Sequence, residues 1–402
     1  MARLILNLLL LIGLSEAIAR HTKNIPAQTF RECQKKTANP LSGCPPGTIY
    51  VSQTDENANF QSIQGAITSL ANDTTSQVIL IAPGIYTEQL NVTRQGPLTL
   101  LGVSDRPSRR ESYADISYNS THENNVQVYW NSANHDAIFS DNVYTGVLTV
   151  GPNLNATLTG SGPTGFPVPE DTPFGCTDFR AYNIEFTPYS NGPAHAVGVS
   201  RANAGFYSCG FYSWQDTVYI GKLGNSYFYD TVVAGQTDFL YGFGTLFIQS
   251  SSLSLRNCGG GITAWKGTNT TFANKYGVYI SDSQLLAANS SIAPTITDKC
   301  SLGRPWNELH RSLYINSYFD SSILPMGYTP WSGKPNDGLS VNTTMAVYGV
   351  YGPGYDEVAE KASNVTKVFT EREARPYLTP VGVFLDSEGK HSNTKWIDHS
   401  VL

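Results

Sequence analysis

The apolar positions of this chain fall in short runs, not in long periodic stretches. A helical spacing is confined to "FQSIQGAITSLA" near residues 60–71 and "TEREARPYL" near residues 370–378. Elsewhere brief runs of β-branched and aromatic residues alternate with Gly, Asn, Ser, Thr and Asp, which predicts strands joined by turns. The runs also repeat. "AYNIEF" starts at Ala181, "FYSCGF" at Phe206, "FYDTVV" at Phe228, "FIQSSSL" at Phe247, "YISDSQL" at Tyr279 and "YINSYF" at Tyr314. Their offsets are 25, 22, 19, 32 and 35 residues. Sandwich strands of fixed length do not predict such spacing. A parallel β-helix does, because each coil is one turn of a solenoid and loops lengthen individual coils. The pattern therefore predicts an all-β solenoid with short flanking helices.

That repeat gives meaning to "WQDTVYIGKLGNSYFYDTVVAGQTDFLYGFG", Trp214 to Gly244. Charged residues are only 14% of the chain, yet Asp216 and Asp238 stand here among aromatics and glycines, 22 residues apart. If a coil takes about 22 residues, the two aspartates share one angular position on adjacent coils. Neighbouring strands lie about 4.8 Å apart, so the carboxylates stack closely and cannot both ionise easily. One pKa rises and the other falls, which yields a proton donor beside a nucleophile or base. Turn-capping aspartates are the simpler alternative. The adjoining Gln215 and the aromatic surroundings favour chemistry.

Composition narrows the setting. The chain has 402 residues, room for a large core or two domains. Its net charge is −6, which excludes a non-specific nucleic-acid binder, since such proteins are basic. Residues 1–19 read "MARLILNLLLLIGLSEAIA": a basic Arg3, an apolar run, then Ala17-Ile18-Ala19. This predicts a signal peptide cut after Ala19; the run Leu4 to Leu14 is too short for a membrane anchor. Residues 20–49 form a Cys/Pro-containing extension, and residues 50–402 the solenoid domain. Sequons at Asn72, Asn91, Asn119, Asn155, Asn269, Asn289, Asn342 and Asn364 suit a secreted eukaryotic glycoprotein. Six cysteines suit an oxidising compartment. Of their possible pairings, only a local Cys33–Cys44 bridge is suggested, by closeness in a Pro/Gly-rich segment. CxxC and HExxH are absent, so neither a metal site nor a cofactor is expected.

Several segments, taken in order, resemble the pectin methylesterases, the pectinesterase family. They are "FQSIQGAI", "IAPGIYTEQLNV", "GPAHAV", "WQDTVY", "DFLYG", "ITAWKG", "LGRPW" at Leu302 to Trp306, "GYTPW" and "YGPG". The resemblance spans roughly residues 50–400. It implies a right-handed parallel β-helix, a secreted fungal-type enzyme acting as a monomer, and methyl-esterified pectin homogalacturonan as substrate. The implied reaction releases methanol through an aspartyl acyl-enzyme. Asp238 matches the nucleophile, Asp216 the general acid/base, Gln215 an oxyanion donor and Arg304 the holder of the nucleophile. Trp306 matches a cleft aromatic, and Tyr219, Tyr241 and Trp331 are expected to join it. No Gly-x-Ser-x-Gly elbow occurs, and none is needed.

The departures from the family are specific. His195 stands where the family carries a second oxyanion glutamine, 21 residues before Asp216, and is a candidate donor in its place. The Glu-Tyr-x-Asn of the family reads Val347 to Val350 here. Segment 104–175 matches poorly and is expected to hold loops that reshape the cleft. The alternatives are a pectate lyase or polygalacturonase on the same architecture, or a non-catalytic pectin-binding relative. Calcium-binding acidic clusters, or closely grouped aspartates, would mark the first two. The retained Asp216, Asp238 and Arg304 argue against the third.

Overall fold

The computed structural model describes residues 27–105, 124–135, 138–160, 165–169, 171–188, 192–267, 275–334, 337–386 and 388–401. The signal peptide read at residues 1–19 and the sequons at Asn119 and Asn269 lie outside the described residues. Three parallel sheets of 11, 8 and 7 strands run along the chain. One coil illustrates the winding. Asn203–Tyr207 lies in the first sheet, Gly210–Tyr212 in the second and Val218–Ile220 in the third, and Asn225–Tyr229 returns to the first. Strand twist makes such parallel crossovers right-handed, and the fold is a right-handed parallel β-helix. No helix among the described residues is long and apolar enough to cross a membrane.

Alternation of side chains decides which residues fill the solenoid. In the first sheet Ala181, Phe206, Phe228, Ile248, Ile280 and Tyr314 point inward and belong to the main core. They are in register: Phe206 pairs with Ala181 and Phe228, and Phe228 with Ile248. The sequence alignment at Phe247 and Tyr279 was therefore one residue early. Both side chains point outward, and a one-residue slip exchanges the faces of a strand. Both faces of this sheet are apolar, so hydrophobicity alone did not fix the register. Outward rings stack along it, Tyr182 on Tyr207 at 4.7 Å and Phe247 on Tyr279 at 6.3 Å between centroids.

Two chain segments cover that outer face. Phe30 of the helix Ala27–Cys33 meets Tyr182 at 5.8 Å, and Phe384, Trp396 and Ile397 join the same cluster. Tyr182 Oη donates to Asp398 Oδ2 (2.7 Å), and the Asp398 backbone N–H donates to Tyr207 Oη (2.6 Å). Cys33 is bonded to Cys44, as expected, and Cys258 to Cys300; Cys176 and Cys209 remain buried thiols. Both expected helices form. Ile63–Ser69 is capped by Ser62, and the Glu88 carboxylate accepts from Ile63 N and Gln64 N at 2.9 and 2.8 Å, a favourable place for an anion. Glu371–Ala374 starts with a Thr370/Glu373 capping box.

The polar residue in each repeat sits at the corner after the first sheet. Asn183, Ser208, Asp230, Ser250, Asp282 and Asn316 all have φ between 47° and 54°. Left-handed backbone is tolerated best by Asn, Asp and Gly. A second series of such corners precedes the third sheet, and it carries the two central aspartates.

Candidate active site

Asp216 has φ 63°, Asp238 φ 47° and Gly260 φ 67°. Gln215 bridges to Thr237, and Val218 pairs with Leu240. Asp216 and Asp238 are thus in register on adjacent coils, as the 22-residue spacing requires. The carboxylates owe their place to a backbone corner that disfavours most other residues.

Their environments differ. Asp238 is clamped by Arg304: Nε donates to Oδ1 at 3.0 Å and Nη2 to Oδ2 at 2.6 Å. The Gly261 backbone N–H adds a third bond to Oδ1 at 3.1 Å. Such bidentate, charge-assisted pairing fixes the orientation of the carboxylate. It also demands space. A Cβ at Gly260 would lie 2.8 Å from both Asp238 Oδ1 and Arg304 Nη2, so this corner requires glycine for its φ and for its missing side chain. The Cys258–Cys300 disulfide ties the segment before Gly260 to the strand Ser301–Gly303, which leads into Arg304.

Asp216 is 9% exposed. Burial pushes its carboxyl well above the usual carboxylate range, and the neighbouring Asp238 charge adds to the rise. Arg304 and a hydrogen bond from Asn142 Nδ2 to Asp216 Oδ2 (2.6 Å) oppose it. The pair therefore sets one buried carboxyl, pushed toward its acid form, beside one carboxylate paired to a cation, a division of labour that suits a general acid and a nucleophile.

Both aspartates open on a cavity of about 350 Å³. Gln215 and Arg304 line it, with Tyr241, Trp306 and Trp331 as its aromatic surfaces. The Gln215 amide makes no side-chain hydrogen bond among the described residues and is available to a ligand. The Arg304 guanidinium carbon lies 4.2 Å over the Trp331 ring, and the buried Lys266 Nζ lies 3.0 Å from the Trp306 centroid. The Arg304 guanidinium thus holds the Trp331 ring from one face, while burial lowers the Lys266 pKa to about 7.

Two expected site residues do not reach the cavity. The His195 ring is buried beneath it, stacked on Tyr219 at 5.5 Å, with Nε2 bonded to the Tyr241 hydroxyl. Burial holds its pKa down to about 4, although Asp141 pulls the other way. The imidazole bonded to Tyr241 positions that tyrosine. Tyr219 is 1% exposed and donates to the Leu158 carbonyl at 3.4 Å. Both residues are roofed by the segment around residues 141–160.

The Pectinesterase family model matches residues 174–387, more than half of the chain. The chain belongs to the pectinesterase family. A probable pectinesterase A of Aspergillus niger is 27% identical over 321 residues, covering 79% of this chain and 82% of the relative. A probable pectinesterase/pectinesterase inhibitor of Arabidopsis thaliana is 29% identical over 219 residues, 52% of this chain but only 36% of the relative. In fold, the chain is similar to the crystal structure of a pectin methylesterase from Aspergillus niger. The TM-score is 0.65 at 22% identity, covering 89% of this chain and 98% of that one.

Within this pectinesterase fold, the wall of the cavity facing Asp216 comes from a segment that sequence reading left unassigned. Asn134, Asn142, Thr159 and Phe166 all line it. Described residues of segment 104–175 therefore line the cleft. Asn142 was missed because its contact with Asp216 spans 74 residues and belongs to no repeat or motif. The sole signal was the "SDN" run at Ser140 to Asn142, a helix-capping pattern.

Proposed function

We propose that this pectinesterase-family protein hydrolyses the methyl esters of pectin homogalacturonan, releasing methanol and free carboxylates. The observation that carries the reading is the in-register pair in unlike environments: Asp238 clamped by Arg304, and Asp216 buried beside it. Asp238 attacks the ester carbonyl, and the Gln215 amide donates to the resulting oxyanion. Asp216 gives its proton to the methoxy oxygen as the C–O bond breaks, and methanol leaves an acyl-enzyme anhydride. The Asp216 carboxylate then takes a proton from water, which attacks the acyl carbon and restores Asp238. Trp306, Trp331 and Tyr241 offer faces for sugar rings.

We infer further that the protein is exported as a monomeric glycoprotein, with residues 1–19 removed, residues 20–49 an N-terminal extension and residues 50–402 the solenoid domain. Two disulfides and exposed sequons at Asn72, Asn91, Asn155, Asn342 and Asn364 support export.

The test is methanol release from highly methyl-esterified pectin. Wild type should release methanol, and Asp238→Asn and Asp216→Asn should each lose at least about 10³-fold while folding normally. Unsaturated ends or new reducing ends without methanol would mark a lyase or a glycosidase instead. Binding without any product would mark a non-catalytic relative.

A further inference from the structure

Asp216 has two oxygens and, as an acid, one proton. Which oxygen carries it decides whether the proton faces the leaving group. The structure contains a device that makes this choice. The Phe139 backbone N–H donates to Asn134 Oδ1 at 2.9 Å, Asn134 Nδ2 donates to Asn142 Oδ1 at 2.8 Å, and Asn142 Nδ2 donates to Asp216 Oδ2 at 2.6 Å. A backbone N–H can only donate. It therefore sets the orientation of Asn134, which sets that of Asn142, and the chain has one direction. At its end Oδ2 is always an acceptor. A carbonyl oxygen accepts a hydrogen bond better than an acid hydroxyl does, so the Asn142 donor favours the tautomer with the proton on Oδ1.

The chain is mounted rigidly. Asn142 opens the short turn Asn142–Thr145, whose N-cap is Asp141. Asp141 is itself buried and accepts from Val143 N, Thr159 N, Thr159 Oγ1 and Gly160 N at 2.8–3.0 Å. Gln89 Nε2 holds the far end of the turn through the carbonyls of Tyr144 (3.0 Å) and Gly146 (2.9 Å). Asn134 is anchored by its backbone N–H on Pro193 O at 2.9 Å.

We propose that Asn142, with Asn134 behind it, is a positioning residue that fixes Oδ1 of Asp216 as the oxygen that gives the proton to departing methanol and later takes one from water. This rests on the reading of Asp216 as the general acid. When Oδ1 releases its proton to the methoxy oxygen, the new negative charge on Asp216 is met by the Asn142 amide. The other groups facing Asp216 are the Asp238 carboxylate, the Arg304 guanidinium and the Tyr241 hydroxyl, with Asp141 behind the turn. Asn142 is the uncharged side chain that donates a hydrogen bond to Asp216 in the structure. Its removal frees the proton to occupy either oxygen and withdraws a bond that favours the ionised form.

The experiment is the pH profile of kcat for methanol release by wild type, Asn142→Leu, Asn142→Ala and Asn134→Ala, with thermal melts for each. Leucine keeps the volume of asparagine without the amide. Both Asn142 variants should lose about 10–100-fold in kcat near neutral pH with KM changed little. Their alkaline limb should move upward by about one pH unit, because Asp216 holds its proton more tightly. Asn134→Ala, which does not touch Asp216, should shift the limb in the same direction by less. A kcat loss with the limb unmoved would show a packing role only and overturn the proposal, as would profiles superimposable on wild type. Asp216→Asn is the control: full turnover in that variant would remove the general acid itself. Its inactivity beside an unmoved Asn142 profile would remove the relay alone.

Discussion

Glu360 should make the protein lose stability as pH rises. It lies on the helix Glu357–Ala362, is fully buried, and neither carboxylate oxygen has a hydrogen-bond partner among the described residues. Burial, with Asp356 and Glu357 nearby, pushes its pKa up from 4.5 to about 8. Below the ordinary carboxylate value the acid is neutral in folded and unfolded chains alike, and its contribution is intact. Between there and about 8 the unfolded chain gives up the proton while the fold retains it, so stability falls by about 1.4 kcal/mol per pH unit. The full window is worth roughly 5 kcal/mol. The loss should reach the active site. A Cβ on Gly327 would lie 3.0 Å from Glu360 Oε1, Gly327 O accepts from Leu302 N at 3.0 Å, and Thr329 N donates to Gly303 O at 3.1 Å. Those bonds support the strand that ends at Arg304. Urea denaturation at pH 5, 7 and 9 should give wild type a stability deficit relative to Glu360→Gln that grows with pH. Methanol release after incubation at pH 9 should survive better in the variant. A wild-type-to-variant difference that is equal at pH 5 and pH 9 would refute the reasoning, because titrations shared by both proteins cancel in it.

His195→Ala should leave the shape of the activity profile between pH 5 and 8 unchanged, since an imidazole held to about 4 does not titrate there; methanol-release rates across that range check it, with a loss below about tenfold expected from a looser Tyr241. Removing the Cys258–Cys300 bridge by paired serine substitutions opens a loop of 42 residues and should cost about 4 kcal/mol in urea denaturation by the chain-entropy relation. Because the bridge also braces Gly260 against the strand before Arg304, kcat should fall in the same variant under conditions where it remains folded.

The carboxylate pair was legible in the sequence because its geometry is local to the repeat: one coil of about 22 residues separates the two corners, and left-handed backbone explains why aspartates stand there. Arg304 was legible only through the resemblance, because a loop lengthens the coil that carries it and the 66 residues to Asp238 span two coils, not three. His195 shows the limit of a spacing argument, whose 21-residue offset does not reveal what lies above the ring, and Tyr219 is covered in the same way. Residues 141–160 cover both, and no periodicity in that segment announces where it folds back. The same segment supplies Asn142, so one irregular excursion accounts for two displaced expectations and one omission. The register slip at Phe247 and Tyr279 has a different cause, a strand whose two faces are equally apolar.

The covering of the first sheet has a consequence for how the protein comes apart. Solenoids behave as nearly one-dimensional stacks, and their terminal turns peel away before the middle does. Here the two outermost stretches of the described chain are strapped across central coils instead. The Asn183 amide donates to Gln34 Oε1, while Tyr182 and Tyr207 hold Asp398. Those rungs lie on the coil that bears Asp216 and on the one before it. Stripping either strap exposes the aromatic ladder in the middle of the stack, so the free energy of losing an end is coupled to that of losing the centre. The molecule should melt as a single cooperative unit, with the catalytic coils protected until the straps let go.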